Sequence, residues 1–184
     1  MHMEIYGRIN QIIYQSSKDG FTVAECIQNK NSFSVVGYMS DIVKGFDYTL
    51  YGTWENDPVY GRQFCVNYYE ENIPNKPNVL SQFLSNIIPE LSPVITQIIS
   101  MYGKDVFTIL EDHPDYLRNY GYEDRQIRKI QTTWMEYRGI KEIRLFLHEN
   151  NISTSYAVRL YDTYQNNAIY IVQNFPYRLP DDLY

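Results

Sequence analysis

Residues 102–117 read Tyr102-Gly103-Lys104-Asp105-Val106-Phe107-Thr108-Ile109-Leu110-Glu111-Asp112-His113-Pro114-Asp115-Tyr116-Leu117. Residues 164–179 read Tyr164-Gln165-Asn166-Asn167-Ala168-Ile169-Tyr170-Ile171-Val172-Gln173-Asn174-Phe175-Pro176-Tyr177-Arg178-Leu179. Overlaid, Tyr102 falls on Tyr164, Ile109 on Ile171, Pro114 on Pro176 and Leu117 on Leu179. Asp105 meets Asn167 at an N-cap position, and Val106/Ala168, Phe107/Ile169 and Leu110/Val172 keep the apolar places. An amphipathic run precedes each copy, at 93–101 and 155–163. The repeated unit is therefore a helix, a tight turn and a short helix stopped by proline. Such a unit cannot bury its apolar face alone, so the copies should pack on each other or on what lies between them. Chance matching of two helical patterns is the alternative, because periodicity supplies several of the matches.

Working outward, residues 4–72 read as strands. Ile5, Gly7, Ile9 and Ile12-Ile13 form the first. The turn Lys18-Asp19-Gly20 leads into Phe21–Ile27, and Asn29-Lys30-Asn31 into Phe33–Gly37. A short helical connection is predicted around Ser40–Lys44, before strands Asp47–Trp54 and Arg62–Tyr69. Five short strands with a helical insert after the third fit a Greek-key barrel of the OB type. An SH3-like barrel is the alternative on pattern alone. Ile73-Pro74-Asn75-Lys76-Pro77-Asn78 is a linker ending in a helix-start signal. Beyond it every segment reads as helix. The second helix stops at Gly103, Asp105 caps the next, and His113-Pro114 ends it. After Gly121, Ile127, Ile130 and Trp134 share a face, which Ile140, Ile143 and Leu147 continue after Gly139. Ser153 caps the second copy. The fold class is two-domain, β then α: an OB-like barrel at 1–73 and an all-α, tandem helix-hairpin-helix domain at 74–184.

The composition narrows the function. No apolar run approaches the ~20 residues of a membrane span. Met1-His2-Met3-Glu4 lacks the basic and apolar regions of a secretory signal. Cys26 and Cys65, in strand-like runs without a spaced framework, predict reduced thiols in a cytoplasmic protein, with a single disulfide as the alternative. His2, His113 and His148 lie far apart, with no ligand cluster for a metal. A net charge of −6 argues against an indiscriminate nucleic-acid binder. The charge is uneven, however. Arg118, Arg125, Arg128, Lys129, Arg138, Lys141 and Arg144 stand against only Glu123, Asp124, Glu136 and Glu142. Any phosphate-facing surface should lie there, and Arg118, Gly121, Arg125, Arg128, Lys129, Arg138 and Lys141 are the candidate nucleic-acid contacts. A solvated helix face with intrahelical ion pairs is the competing reading.

No catalytic constellation is present. Gly103-Lys104 is followed by Asp and lacks the upstream glycine of a phosphate loop. A nucleophile elbow, a zinc-protease helix motif and a Cys/His nucleophile pair are all missing from the sequence. A barrel joined to helical hairpins instead suits DNA handling. Hairpin amides approach phosphates where small residues permit, and barrels stack bases on aromatics. Of the 19 tyrosines, Tyr6, Tyr14, Tyr38, Tyr51, Tyr60, Tyr68 and Tyr69 fall in the barrel, where half-buried packing is the commoner role.

Gly52-x-Trp54-x-x-x-Pro58-x-Tyr60-Gly61-x-Gln63-Phe64 resembles the signature of the N-terminal OB domain of RecD-like DNA helicases, the exodeoxyribonuclease V alpha-subunit/TraA-type group. Phe21-Thr22-Val23 matches the same domain. Leu145-Phe146-Leu147, Ile152-Ser153, Ala157-x-Arg159-x-Tyr161 and Asn174-x-Pro176-Tyr177-x-Leu179 resemble the helical segment that follows it. The resemblance implies a superfamily 1 helicase moving 5′ to 3′ on single-stranded DNA in recombination and repair. Its ATP- and Mg-dependent motor would begin after Tyr184, leaving this stretch a non-catalytic accessory region without a cofactor of its own. The partners it implies are weakly bound single-stranded DNA and the motor of the same polypeptide, with a monomer favoured. The family carries Gly-Ile-Gly at the first two hairpins. Here they read Pro89-Glu90-Leu91 and Gly121-Tyr122-Glu123, so Glu90 and Glu123 place negative charge where a phosphate would approach. Those hairpins read as scaffold. The third unit has Gln165 for its turn glycine, which predicts a repacked turn. The alternative function is a protein-interaction module that docks the motor or a repair partner without touching DNA.

Overall fold

The computed structural model describes residues 3–72 and 76–183. The 73/74 boundary, the Ile73-Pro74-Asn75 part of the linker and His2 lie outside the described residues. Strands β1 (Met3–Gln15), β2 (Phe21–Gln28), β3 (Asn31–Tyr38), β4 (Asp47–Asp57) and β5 (Gly61–Asn72) close a barrel in the order β1-β2-β3-β5-β4. β3 runs parallel to β5 from Ser34↔Gln63 to Gly37↔Val66, and the other pairings are antiparallel. This is the OB arrangement, not the SH3-like alternative.

β1 serves two neighbours. Its first half pairs with β4 and its second half with β2, with register shifts at Ile9/Gln11 and Ile12/Tyr14. Each shift adds twist and lets one strand turn the barrel corner. Period-two alternation puts Thr22, Ala24 and Cys26 inside from β2, against Ile9, Val35, Leu50 and Phe64. At the β4 bulge a Cβ on Gly52 would lie 1.9 Å from the Cys65 carbonyl oxygen, so only glycine admits that approach.

The helical insert expected at Ser40–Lys44 is not formed. Residues 39–46 make turns instead, with Gly45 at φ 88° and the Val43 amide donating to the Tyr48 hydroxyl at 2.8 Å. Met39, Ile42, Val43 and Phe46 are all buried, and a single helical turn could not aim four apolar side chains of so short a stretch inward.

The helices are α1 (Pro77–Ile87), α2 (Ile95–Tyr102), α3 (Val106–Asp112), α4 (Asp124–Glu149), α5 (Ala157–Tyr164), α6 (Ala168–Asn174) and α7 (Leu179–Leu183), joined by short 3-10 turns. α4 runs through Gly139 without a break. A Cβ there would come 2.3 Å from the Tyr161 ring, so this glycine is a packing notch and not a stop. Among the described residues no helix is long and apolar enough to cross a membrane. The chain divides into two compact units, Met1–Asn72 with Gly139–Tyr184, and Ile73–Arg138. That division falls inside α4 and does not follow the change from strand to helix.

The two copies of the repeat fold alike. α2 ends at Gly103 (φ 55°, ψ −128°) and α5 at Gln165 (φ 51°, ψ −131°). A 3-10 turn follows each, then α3 or α6, then His113 (φ −133°, ψ 48°) or Phe175 (φ −136°, ψ 48°) ahead of the proline. Two expectations need correction here. The turn at Gln165 is not repacked, because the glutamine takes the backbone conformation of the glycine. Asp105 and Asn167 make no side-chain cap, because the preceding 3-10 turn already holds them in helical dihedrals. Both copies pack on what lies between them. Phe107 stacks on Trp134 of α4 at 5.5 Å, and α5 and α6 share a buried cluster with Ile140, Ile143 and Leu147.

Candidate nucleic-acid interface

The outer face of β1, β2 and β3 carries a groove of about 710 Å³. Gln11, Glu25, Asn31, Phe33, Trp54 and Arg62 are among the residues that line it. Trp54 pairs with Phe64 across β4–β5 and sits 5.2 Å from Phe33, ring to ring. Arg62, diagonal to Trp54 across the same ladder, lays its guanidinium 4.4 Å over the indole. The result is a stacking platform with one positive charge, flanked by amides and by Glu25. The β4–β5 turn beside it is closed by hydrogen bonds to a side chain. The Asp57 carboxylate accepts from the Val59 and Tyr60 amides at 2.8 and 2.9 Å, leaving both side chains 80% exposed.

Ser34, Val36 and Tyr38 alternate outward on β3, with Val35 and Gly37 buried between them. They lead from this groove to a cleft lined by Phe21, Tyr38, Tyr51, His148 and Asn151 among others. Here the hairpin after α4 meets the barrel: Thr154 Oγ1 donates to the Asn67 carbonyl at 2.8 Å, and His148 stacks on Tyr68 at 4.3 Å. Asn151 is left-handed (φ 56°), and the Ile152 amide returns to the Leu147 carbonyl at 2.8 Å. Of the seven tyrosines read in the barrel, Tyr6, Tyr14 and Tyr60 are exposed, Tyr38 and Tyr51 half-buried, and Tyr68 and Tyr69 buried.

The basic segment 118–144 is largely self-neutralised. Arg118 pairs with Asp124 at 2.9 Å and Asp115 at 3.6 Å, Lys129 with Glu90, Arg138 with Glu111 at 3.0 Å, and Lys141 with Glu71 at 3.2 Å. Arg144 is not on the surface at all. It is 2% exposed, donates from Nη1 to Asp41 at 3.0 Å and to the Tyr69 hydroxyl at 2.6 Å, and stacks over the Tyr69 ring. Burial acts to lower its pKa, but Asp41, Tyr69 and Glu71 together outweigh burial and raise it. Burial likewise holds the Tyr69 hydroxyl well above its ordinary range. Arg125 and Arg128 are exposed and, among the described residues, have no ion pair.

The first two hairpins are closed. The Tyr122 hydroxyl donates to the Glu90 carbonyl, and the hydrogen bond from Lys129 holds the Glu90 carboxyl below its usual range. The amides of Gly121, Tyr122 and Glu123 go to the Arg118 and Leu117 carbonyls and the Gln126 side chain. Gly103-Lys104 lies in a three-residue 3-10 turn between helices, a geometry that does not fit ATP phosphates.

Two family models match. Residues 2–74 match the OB-fold domain of the ATP-dependent DNA helicase YrrC, and residues 136–184 match the HHH domain of the ATP-dependent RecD2 DNA helicase. The two matches, in this chain order, support the N-terminal region of a RecD-like helicase. A chain of a replication protein A heterotrimer bound to ssDNA is also similar, at 12% identity and a TM-score of 0.33. That match covers 43% of this chain and 62% of the other's length. In this RecD-like region the signature from Gly52 to Phe64 marks the β4–β5 hairpin, from the glycine of the bulge to the core phenylalanine. It contains Trp54, and Arg62 lies inside it too, between Gly61 and Gln63. In register Arg62 stands opposite Asn56 and so diagonal to Trp54, on the same face of the hairpin. Charge counting pointed to the helices instead.

Proposed function

We propose that this region holds single-stranded DNA for a RecD-like 5′–3′ helicase and has no turnover of its own. The observation that supports it best is the Trp54–Phe33–Arg62 platform on the OB ligand face. Guanidinium and indole planes accept any base, which suits a strand guide with no sequence preference. From Ser34 to Tyr38 the strand direction offers about 13 Å toward the Tyr38–Asn151 cleft, room for a short run of nucleotides. Arg125 and Arg128 supply further phosphate contacts. ATP and Mg belong to the parent motor, which works in the cytoplasm in DNA recombination and repair.

A fluorescent single-stranded oligonucleotide titrated at low salt tests the reading. Trp54→Leu and Arg62→Ala should each weaken binding about tenfold or more, the scale of losing one stacked base, with an unchanged circular dichroism spectrum. Undiminished binding by both variants rejects the platform. A protein-docking module that never touches DNA is the second reading. It is favoured by the closed first and second hairpins, whose Glu90, Tyr122 and Lys129 bond to one another and not outward. Absence of binding by the wild-type chain even at low salt selects it.

A further inference from the structure

The repeat allows the burial of one copy to be compared with the other, position by position. Ile95, Ile98, Ile99 and Val106 are buried, and so are their counterparts Ala157, Leu160, Tyr161 and Ala168. Three positions break the agreement. Ile109, Leu110 and Leu117 are 5%, 1% and 1% exposed, whereas Ile171, Val172 and Leu179 are only half-buried.

The first copy owes its cover to the helix that follows it. Phe107 and Glu111, one turn apart on α3, meet Trp134 and Arg138, one turn apart on α4. The first part of α4 therefore lies along α3, with Ile127, Ile130 and Trp134 turned inward and all buried. That helix begins four residues after Tyr120, the counterpart of Asp182. In the second copy Val172, Leu179 and Leu183 rest on the Ile140–Ile143–Leu147 cluster with one side, and nothing among the described residues buries the other.

We propose that Ile171, Val172 and Leu179 form a docking face for an amphipathic helix supplied by the same polypeptide downstream of residue 183. Its apolar residues recur at the Ile-x-x-Ile-x-x-x-Trp spacing of Ile127, Ile130 and Trp134. The source follows from the repeat: the chain-adjacent helix covers copy one, and copy two keeps the same backbone up to its proline. The ion pair of the first copy is not carried over, because Gln173 stands where Glu111 bonds Arg138. Recognition on the second face is therefore through apolar packing, since Asp182 beside it is already engaged by Arg178 and Tyr164.

Hydrogen exchange on the present chain and on a polypeptide continuing past residue 184 tests this. Amides of 168–180 should exchange about tenfold more slowly in the longer chain. Ile171→Glu, on the open side of α6, should remove that added protection while barrel amides keep theirs. Equal exchange in the two chains overturns the proposal. So does protection that the present chain gains with concentration as it dimerises in sedimentation, which gives the face to a second copy. Val172→Thr serves where Ile171→Glu disturbs folding, with a smaller loss of protection expected at the same amides.

Discussion

Arg144 shows how far a residue's role can lie from its sequence context. It belongs to the most basic stretch of the chain, yet it is buried with Asp41 and Tyr69 and joins α4 to the barrel. Removing one partner of a buried ion pair leaves the other charged and desolvated, at a cost of about 3–5 kcal/mol. Arg144→Met should therefore lower the urea midpoint sharply, and Arg144→Lys should restore little, since one ammonium cannot both stack on Tyr69 and reach Asp41. Arg144→Met/Asp41→Leu should recover much of the loss. The buried phenols give a second prediction at this scale. Burial pushes the Tyr68 hydroxyl up to about 12, and raises Tyr48 and Tyr69 as well. A folded phenol that keeps its proton longer stabilises the fold fully below the unfolded value near ~10, and that contribution fades as pH climbs above it. Thermal melting should be flat from pH 8 to 9 and fall between pH 10 and 12.

At the scale of elements, the repeat was legible because proline, tyrosine and apolar spacing survive in both copies. Its turn was not, because propensity gives no reason for a glutamine to stand at φ 51°, ψ −131°. The surrounding helices fix the backbone, and Gln165 bears the strain, of order 1–3 kcal/mol for a residue with a Cβ in such a region. Gln165→Gly should raise the midpoint of unfolding by the equivalent of ~1 kcal/mol, and Gly103→Gln should lower it by a similar amount. Opposite signs at matched positions would be hard to obtain from any cause other than the shared turn; equal signs would refute it. The missed helix at 40–44 has the same origin in tertiary context. Met39, Ile42, Val43 and Phe46 are pulled inward together, and Gly45 reverses the chain before a helix can form. The strands were legible from alternation alone, but which outward residues form a platform depended on the register of β4 against β5.

For the whole molecule, a chain of net charge −6 that binds DNA must do so with few phosphate contacts, and the ion pairs say which are to spare. Five of the seven cations between 118 and 144 are committed to carboxylates of the same chain. Arg125 and Arg128 remain, with Arg62 on the barrel. Each phosphate neutralised on a single strand adds about −0.7 to the slope of log K against log salt. Three contacts give about −2, whereas engaging the whole basic segment would give roughly −5. A titration series between low and moderate salt should return the shallower value. Arg125→Gln/Arg128→Gln should then flatten it by about 1.4 and weaken all sequences alike, while Trp54→Leu should lower affinity with the slope intact, because stacking releases no counterions. A slope unchanged by the double variant would take the helical cations out of the interface and leave the barrel to bind alone.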